Sequence, residues 1–149
     1  MSVSHVIAVV GGKGGVGKST FAINYAVTTA IDSKGKVLLI DLDPKACGDI
    51  AMLLGIKIKR TLLELGKTEG KFEPSQILNY VCVHSSGIHF LPGVMDIEQL
   101  TMLEPAHVTR ALQLIMHQYN IVIIDLGSDM EGPGVKVLEQ SSMIFVLTL

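Results

Sequence analysis

Eight consecutive residues, Gly12-Lys13-Gly14-Gly15-Val16-Gly17-Lys18-Ser19, carry the most specific chemistry in this 149-residue chain. They fit G-x-x-x-x-G-K-[ST], a phosphate-binding loop. Glycines let the backbone curl until successive N–H groups point at phosphate oxygens. A helix starting near Ser19 adds its positive end. Lys18 then reaches the β- and γ-phosphates, and the Ser19 hydroxyl binds Mg²⁺, with Thr20 completing the nucleotide-binding stretch. The same glycines also satisfy G-x-G-x-x-G at Gly12, Gly14 and Gly17, with Asp41 about twenty residues on, the dinucleotide fingerprint. Lys18-Ser19 separates the two readings, because a dinucleotide needs neither a terminal-phosphate lysine nor a metal-binding hydroxyl. The pattern points to a nucleoside triphosphate.

Three carboxylates extend the set. The apolar run Val37–Ile40 ends in Asp41-Leu42-Asp43-Pro44, and Ile121–Ile124 ends in Asp125. In a parallel sheet all strands finish on one edge, where the loop after Val10 also lies. Asp41, Asp43 and Asp125 are thus expected to converge on one metal–phosphate site, with Ser19, Asp43 and Asp125 around Mg²⁺, a hard cation that takes oxygen ligands, often through water.

The elements that must position these residues are legible as apolar runs. Val6–Val10, Val37–Ile40, Ile121–Ile124 and Ile144–Leu147 are short, continuous and rich in β-branched residues, as in parallel strands buried on both faces. Helical patterns lie between them: Ser19–Asp32 with a small-residue stripe at Ala22, Ala26 and Ala30, shorter stretches at Gly48–Leu54 and Gly132–Gln140, and Ala106–Gln118 after Pro105. In the less regular middle, Thr61–Leu65 and Pro74–Tyr80 read as short helices. Val81–His84 and Ile88–Leu91 read as two strands around Ser85-Ser86-Gly87. Strand–helix alternation predicts an α/β fold: a phosphate-loop NTPase with a mostly parallel, doubly wound sheet flanked by helices.

Composition agrees. Apolar residues make up 48% of the chain and charged residues 17%, which excludes disorder. Mean hydropathy is high at +0.47. The stretch Pro74–Met95 has the length of a membrane span but is interrupted by polar residues. Cys47 and Cys82 are too few for a disulfide framework, which points to a reducing, cytoplasmic compartment. A net charge of −2 gives no global attraction to nucleic acid. Lys57-Ile58-Lys59-Arg60 is a small basic cluster, read as a solvated loop, with an acidic partner or anionic lipid surface as the alternative. The five histidines share no ligand spacing, and the seven methionines read as core filler.

The second lysine at the loop start, Lys13, gives Lys13-Gly14-Gly15-Val16-Gly17-Lys18-Ser19. This resembles the deviant Walker A motif of the ParA/MinD family, a group of dimeric ATPase switches. Asp41-Leu42-Asp43-Pro44 looks like the family's second motif, and Ile121–Asp125 like its Walker B strand. The Gly48–Gly55 and Ser86–Gly93 stretches and Glu104-Pro105 look most like the CpaE/TadZ branch, which localises pilus-assembly machinery. The resemblance implies that Lys13 reaches the phosphates of the nucleotide in the partner subunit. Lys18 and the Gly14–Lys18 backbone hold phosphates in the same subunit, and Ser19 ligates Mg²⁺, which Asp125 binds through water. Asp43 positions the attacking water, supported by Asp41, so that Lys13, Asp43 and Asp41 form the catalytic set. The implied partners are a second copy of the chain and proteins of a localisation or assembly machine. DNA or membrane contact has no support in these residues, and peripheral placement at a membrane or pole would come through partners.

Departures from the family pattern lie after Asp125. Many relatives carry a Pro-rich turn there, whereas this chain has Leu126-Gly127-Ser128-Asp129. Gly127 is expected to keep the turn flexible. Asp129 adds charge near the γ-phosphate, which keeps a non-hydrolysing nucleotide-binding scaffold as the alternative and a dinucleotide-binding oxidoreductase as the remote one. Residues 1–149 are expected to be the N-terminal part of one ATPase domain, with the remainder following residue 149.

Overall fold

The computed structural model describes residues 4–11, 17–128 and 132–148. Gly12, Lys13, Gly14, Gly15, Val16 and Asp129 lie outside them.

The four apolar runs form strands: β1 (His5–Gly11), β2 (Val37–Asp41), β5 (Ile121–Gly127) and β6 (Met143–Leu147). The hairpin expected in the middle is β3 (Cys82–Val83) and β4 (His89–Pro92). The sheet order is β3-β4-β2-β5-β1-β6. Every pairing is parallel except β3 with β4. The predicted α/β class and its mostly parallel sheet are therefore observed.

The runs read as continuously apolar because alternate residues enter two different cores. Val6, Ala8, Val10, Leu38, Ile40, Val122 and Ile124 face one core. Ile7, Val9, Val37, Leu39 and Ile123 face the other. A strand with a helix layer on each side has no solvated face to make polar.

The helices supply the two layers. Helix α1 (Lys18–Ser33) lays Ala22 and Ala26 on the second core, as the small-residue stripe predicts. α2 (Asp49–Leu54) joins it through Ile50 and Ala51. α3 (Leu62–Gly66), α5 (Pro105–Ile115) and α6 (Pro133–Gln140) cover the first core. α3 is capped by the Thr61 hydroxyl, which accepts from the Glu64 N–H at 3.3 Å. Residues Pro74–Asn79 form a 3₁₀ helix. A six-residue helix, α4 (Ile97–Met102), had no signal in the apolar pattern, because none of its residues is buried.

Two expectations are corrected. Strand β6 is not buried: Ile144 and Val146 are 45% and 62% exposed. It pairs with β1 on one side, and among the described residues nothing pairs with its outer edge. Among the described residues most methionines are not core filler either. Met52, Met95, Met102 and Met143 are exposed, and among the described residues only Met116 packs against a core.

Gly66 shows how closely the first layer packs. A Cβ there would overlap the backbone carbonyl of His107 on α5. Gly66→Ala is expected to lower stability by about 1–3 kcal/mol through overpacking, read as a lower urea midpoint at unchanged m-value.

Candidate functional site

The strand ends bring the predicted residues together. Gly17, at φ +83°, is the N-cap of α1, a left-handed conformation that glycine adopts without a Cβ penalty. α1 begins with Lys18, which is 6% exposed, and Ser19 follows. Gly17, Lys18, Ser19 and Thr20 line a cavity of about 390 Å³ together with Asp43 and Ser128. Lys45, Ala46, Asp49 and Leu53 line it too, and sequence reasoning missed them. Lys45 and Ala46 lie close in sequence to Asp43, but nothing in the sequence shows that α2 brings Asp49 and Leu53 to the cavity that the start of α1 lines.

Register fixes the carboxylates. Asp41 and Asp125 are direct partners on neighbouring parallel strands. Alternation turns Val37, Leu39 and Ile123 toward the α1 layer, and positions 41 and 125 continue those series. Ser19 Oγ, on α1, donates to Asp125 Oδ2 at 2.9 Å. Asp125 Oδ1 accepts from the Gly127 N–H at 3.1 Å. Asp41 Oδ1 accepts from the Asp43 N–H at 3.1 Å, and Asp43 Oδ1 from the Lys45 N–H at 3.0 Å. These Asx-type bonds hold the Asp41–Lys45 turn together with the Leu42 N–H, which donates to the Asp125 carbonyl on β5 at 2.8 Å.

Gly127 is a constrained position. The β1–β5 register shifts so that Val9 pairs with Asp125 and Val10 with Gly127, leaving Leu126 as a bulge. Gly127 sits at φ +71°, and a Cβ there would overlap the Asp43 carboxylate. The expected flexible turn is instead a close approach: Asp43 occupies the space a side chain would need.

Burial sets the electrostatics. Asp125 is fully buried and Asp41 is 6% exposed. Loss of water pushes Asp41 up to about 8, opposed by the Asp43 N–H and reinforced by the charges of Asp125, Asp43 and Asp49. Burial also raises Asp125, opposed by its bonds from Ser19 and Gly127 and by the Lys18 charge. The edge is a cluster of carboxylates with Lys18 beside it, and a divalent cation would relieve their repulsion. Among the described residues no cluster of three or more His, Cys, Asp or Glu side chains forms a closed metal cage. A hydroxyl plus a carboxylate acting through water matches Mg²⁺, which keeps much of its hydration. The residues present therefore fit Mg²⁺ with a phosphate-bearing ligand. Asp41 does not line the cavity and is too buried to hold a ribose, which the dinucleotide reading requires.

Comparison with known proteins agrees. The AAA domain family, AAA_31, matches residues 4–147. The antiactivator FleN of Pseudomonas aeruginosa is 32% identical over 146 residues, covering 96% of this chain and 50% of that protein. The chromosome-partitioning ATPase Soj of Thermus thermophilus is 38% identical over 122 residues, covering 80% of this chain and 44% of Soj. The chain thus spans about half the length of the curated relatives it matches. A ParA family ATPase from Chlorobium tepidum superposes with a TM-score of 0.87 at 25% identity, covering 97% of this chain and 60% of that one. The septum site-determining protein MinD from Pyrococcus horikoshii, solved with Mg-ADP, gives 0.79 at 21% identity, covering 97% and 58%.

Two outcomes follow from this geometry. In the nucleotide-free protein, folded Asp41 holds its proton up to about pH 8, whereas the unfolded carboxyl releases it near the ordinary value of 3.8. Its contribution to stability is present below the unfolded value and is lost as pH rises toward 8. Asp41→Asn keeps the acceptor for the Asp43 N–H and removes this titration. It should gain on the wild type between pH 5 and 8, by at most about 1.4 kcal/mol per pH unit, in thermal melts across that range. Gly127→Ala should cost about 1 kcal/mol for the left-handed backbone and displace the Asp43 carboxylate. The displacement is checked by the crystal structure of the variant.

Proposed function

The chain belongs to the ParA/MinD family of P-loop ATPases, and from that membership we propose that it binds Mg²⁺–ATP beside Lys18 and Ser19 and hydrolyses it slowly. We further propose that it does so within a nucleotide-dependent homodimer whose cycle positions or recruits partner proteins. The observation that carries the reading is the 2.9 Å bond from Ser19 to the buried Asp125 at the wall of a cavity that Lys18 also lines. A hydroxyl at the start of a helix is held there by a carboxylate at a strand end, which is the pairing a metal–triphosphate site needs.

In this reading Ser19 ligates Mg²⁺, with Asp125 acting through water. Mg²⁺ supplies neutralisation of charge on the β- and γ-phosphates. Lys18 and the Gly12–Gly17 loop cradle the phosphates. Asp43, on the cavity wall and held by the Lys45 N–H, accepts a hydrogen bond from the water that attacks the γ-phosphorus. Asp41 positions Asp43 through the Asp43 N–H. Lys13 from the second subunit stabilises charge that develops as the phosphoryl group leaves ADP. Support for a protein surface closing over the site comes from Met52 and Leu53, 73% and 60% exposed, the latter lining the cavity.

FleN and Soj support positioning or recruitment in the general sense. The CpaE/TadZ-like stretches carry the finer reading of a pilus- or secretion-assembly role. Among the described residues no helix is long and apolar enough to cross a membrane. Placement at a membrane or pole would come through partners.

The test measures ATP affinity, phosphate release and ATP-dependent dimerisation for the wild type, Lys18→Ala and Lys13→Ala. Lys18→Ala should lose nucleotide binding. Lys13→Ala should still bind ATP but lose dimerisation and drop in turnover by about a hundredfold or more. A Lys13→Ala protein that dimerises and turns over normally rejects the mechanism. Tight wild-type binding with no phosphate release above background would favour the scaffold instead.

A further inference from the structure

The basic cluster at residues 57–60 is left unused by the nucleotide site. None of its residues lines the nucleotide cavity. The segment is not a floppy loop. Ile56 and Ile58 pack against the second core, so Lys57 and Lys59, alternating with them, are turned outward. The Lys57 carbonyl accepts from Cys82 Sγ at 3.7 Å, which ties the segment to the edge strand β3. Arg60 is fixed by a different contact: its guanidinium carbon stands 5.2 Å from the centroid of the Tyr80 ring.

Among the described residues, Lys57, Lys59 and Arg60 make no ion pair, and Glu73, which precedes the neighbouring 3₁₀ helix, is already paired with Lys71 at 3.2 Å. Lys59, Arg60, Gln76, Asn79 and Tyr80 line a groove of about 510 Å³, within the range of ligand-binding clefts. Gln76 Oε1 is taken by the Glu73 N–H at 2.6 Å, leaving its amide NH₂ to donate. The groove therefore presents an ammonium, a guanidinium placed over an aromatic ring, and amide donors. A guanidinium presents a planar fork of N–H donors that matches a carboxylate bidentately.

We infer that this groove is a docking site for an acidic peptide segment of a partner protein, read through carboxylates on Lys59 and Arg60. Amides beside the two cationic heads suit an extended acidic chain, whose backbone Gln76 and Asn79 can pair while Lys59 and Arg60 take its carboxylates. The inference is independent of ATP turnover and adds a second, nucleotide-remote surface.

The probe is fluorescein-labelled hexaglutamate, titrated with the protein in low salt and followed by anisotropy. Saturable binding is expected, weakening with added salt. Lys59→Glu/Arg60→Glu should weaken it by about tenfold or more. Arg60→Lys, which keeps the charge but loses the fork and the stacking, should weaken it by about threefold or more. Both variants should keep wild-type nucleotide affinity and melting behaviour, since both side chains are exposed. Absence of saturable hexaglutamate binding overturns the proposal. So does binding that Arg60→Lys leaves unchanged. Preferential binding of phosphatidylglycerol-containing vesicles or a short DNA duplex would reassign the groove to phosphate and reject the peptide.

Discussion

Two carboxylates side by side in a dry sheet are the constraint on which the rest of the site depends. Asp41 and Asp125 are register partners on adjacent parallel strands, almost without water. Neither burial nor their mutual repulsion favours charge there. The protein offsets the cost locally, with one backbone N–H on each carboxylate and the Ser19 hydroxyl on Asp125. An apolar pair at these positions would make a steadier sheet. Keeping acids there leaves an edge whose charge a cation–phosphate ligand can complete.

That pair also dictates the surrounding loops. Asp125 captures the first turn of α1 through Ser19, so the helix that follows β1 is bound to β5, the strand between β2 and β1 in the sheet. Asp41 captures the backbone of Asp43, and its own carbonyl accepts the Gly93 N–H at 2.7 Å. The bulge at Leu126 then brings Gly127 under Asp43. A change at any one of these points is felt at the others, because each side chain is held by a neighbour that is itself part of the edge. This is the kind of connected arrangement through which a bound phosphate could bias the shape of two loops at once.

Away from this edge the molecule shows two surfaces of different chemistry. Met52 and Leu53 make an apolar rim beside the cavity, whereas Lys57, Lys59 and Arg60 project from a segment anchored by Ile56 and Ile58. The exposed apolar strand β6 is a third feature, and it belongs to the sheet itself. Of these three, only the first borders the cavity beside Lys18 and Ser19, through Leu53.

The sequence by itself determined the chemistry and the class of fold. The glycine–lysine–serine pattern needs no partner to be recognised, because its function lies in local backbone and adjacent side chains. Continuous β-branched runs announced buried parallel strands, because both faces of such a strand are covered. Strand ends marked by Asp41 and Asp125 located the edge. Tertiary structure alone decided register, closeness and exposure. Only pairing shows that Asp41 faces Asp125, that Gly127 leaves room for Asp43 rather than lending flexibility, and that Lys45, Asp49 and Leu53 share the cavity. Helix α4 escaped detection because it buries nothing, and the methionines and β6 were misplaced for the related reason that apolarity reports a preference for burial, not its fulfilment. Whether an apolar residue is covered depends on what lies opposite it, and that is a property of the folded chain, not of the residue.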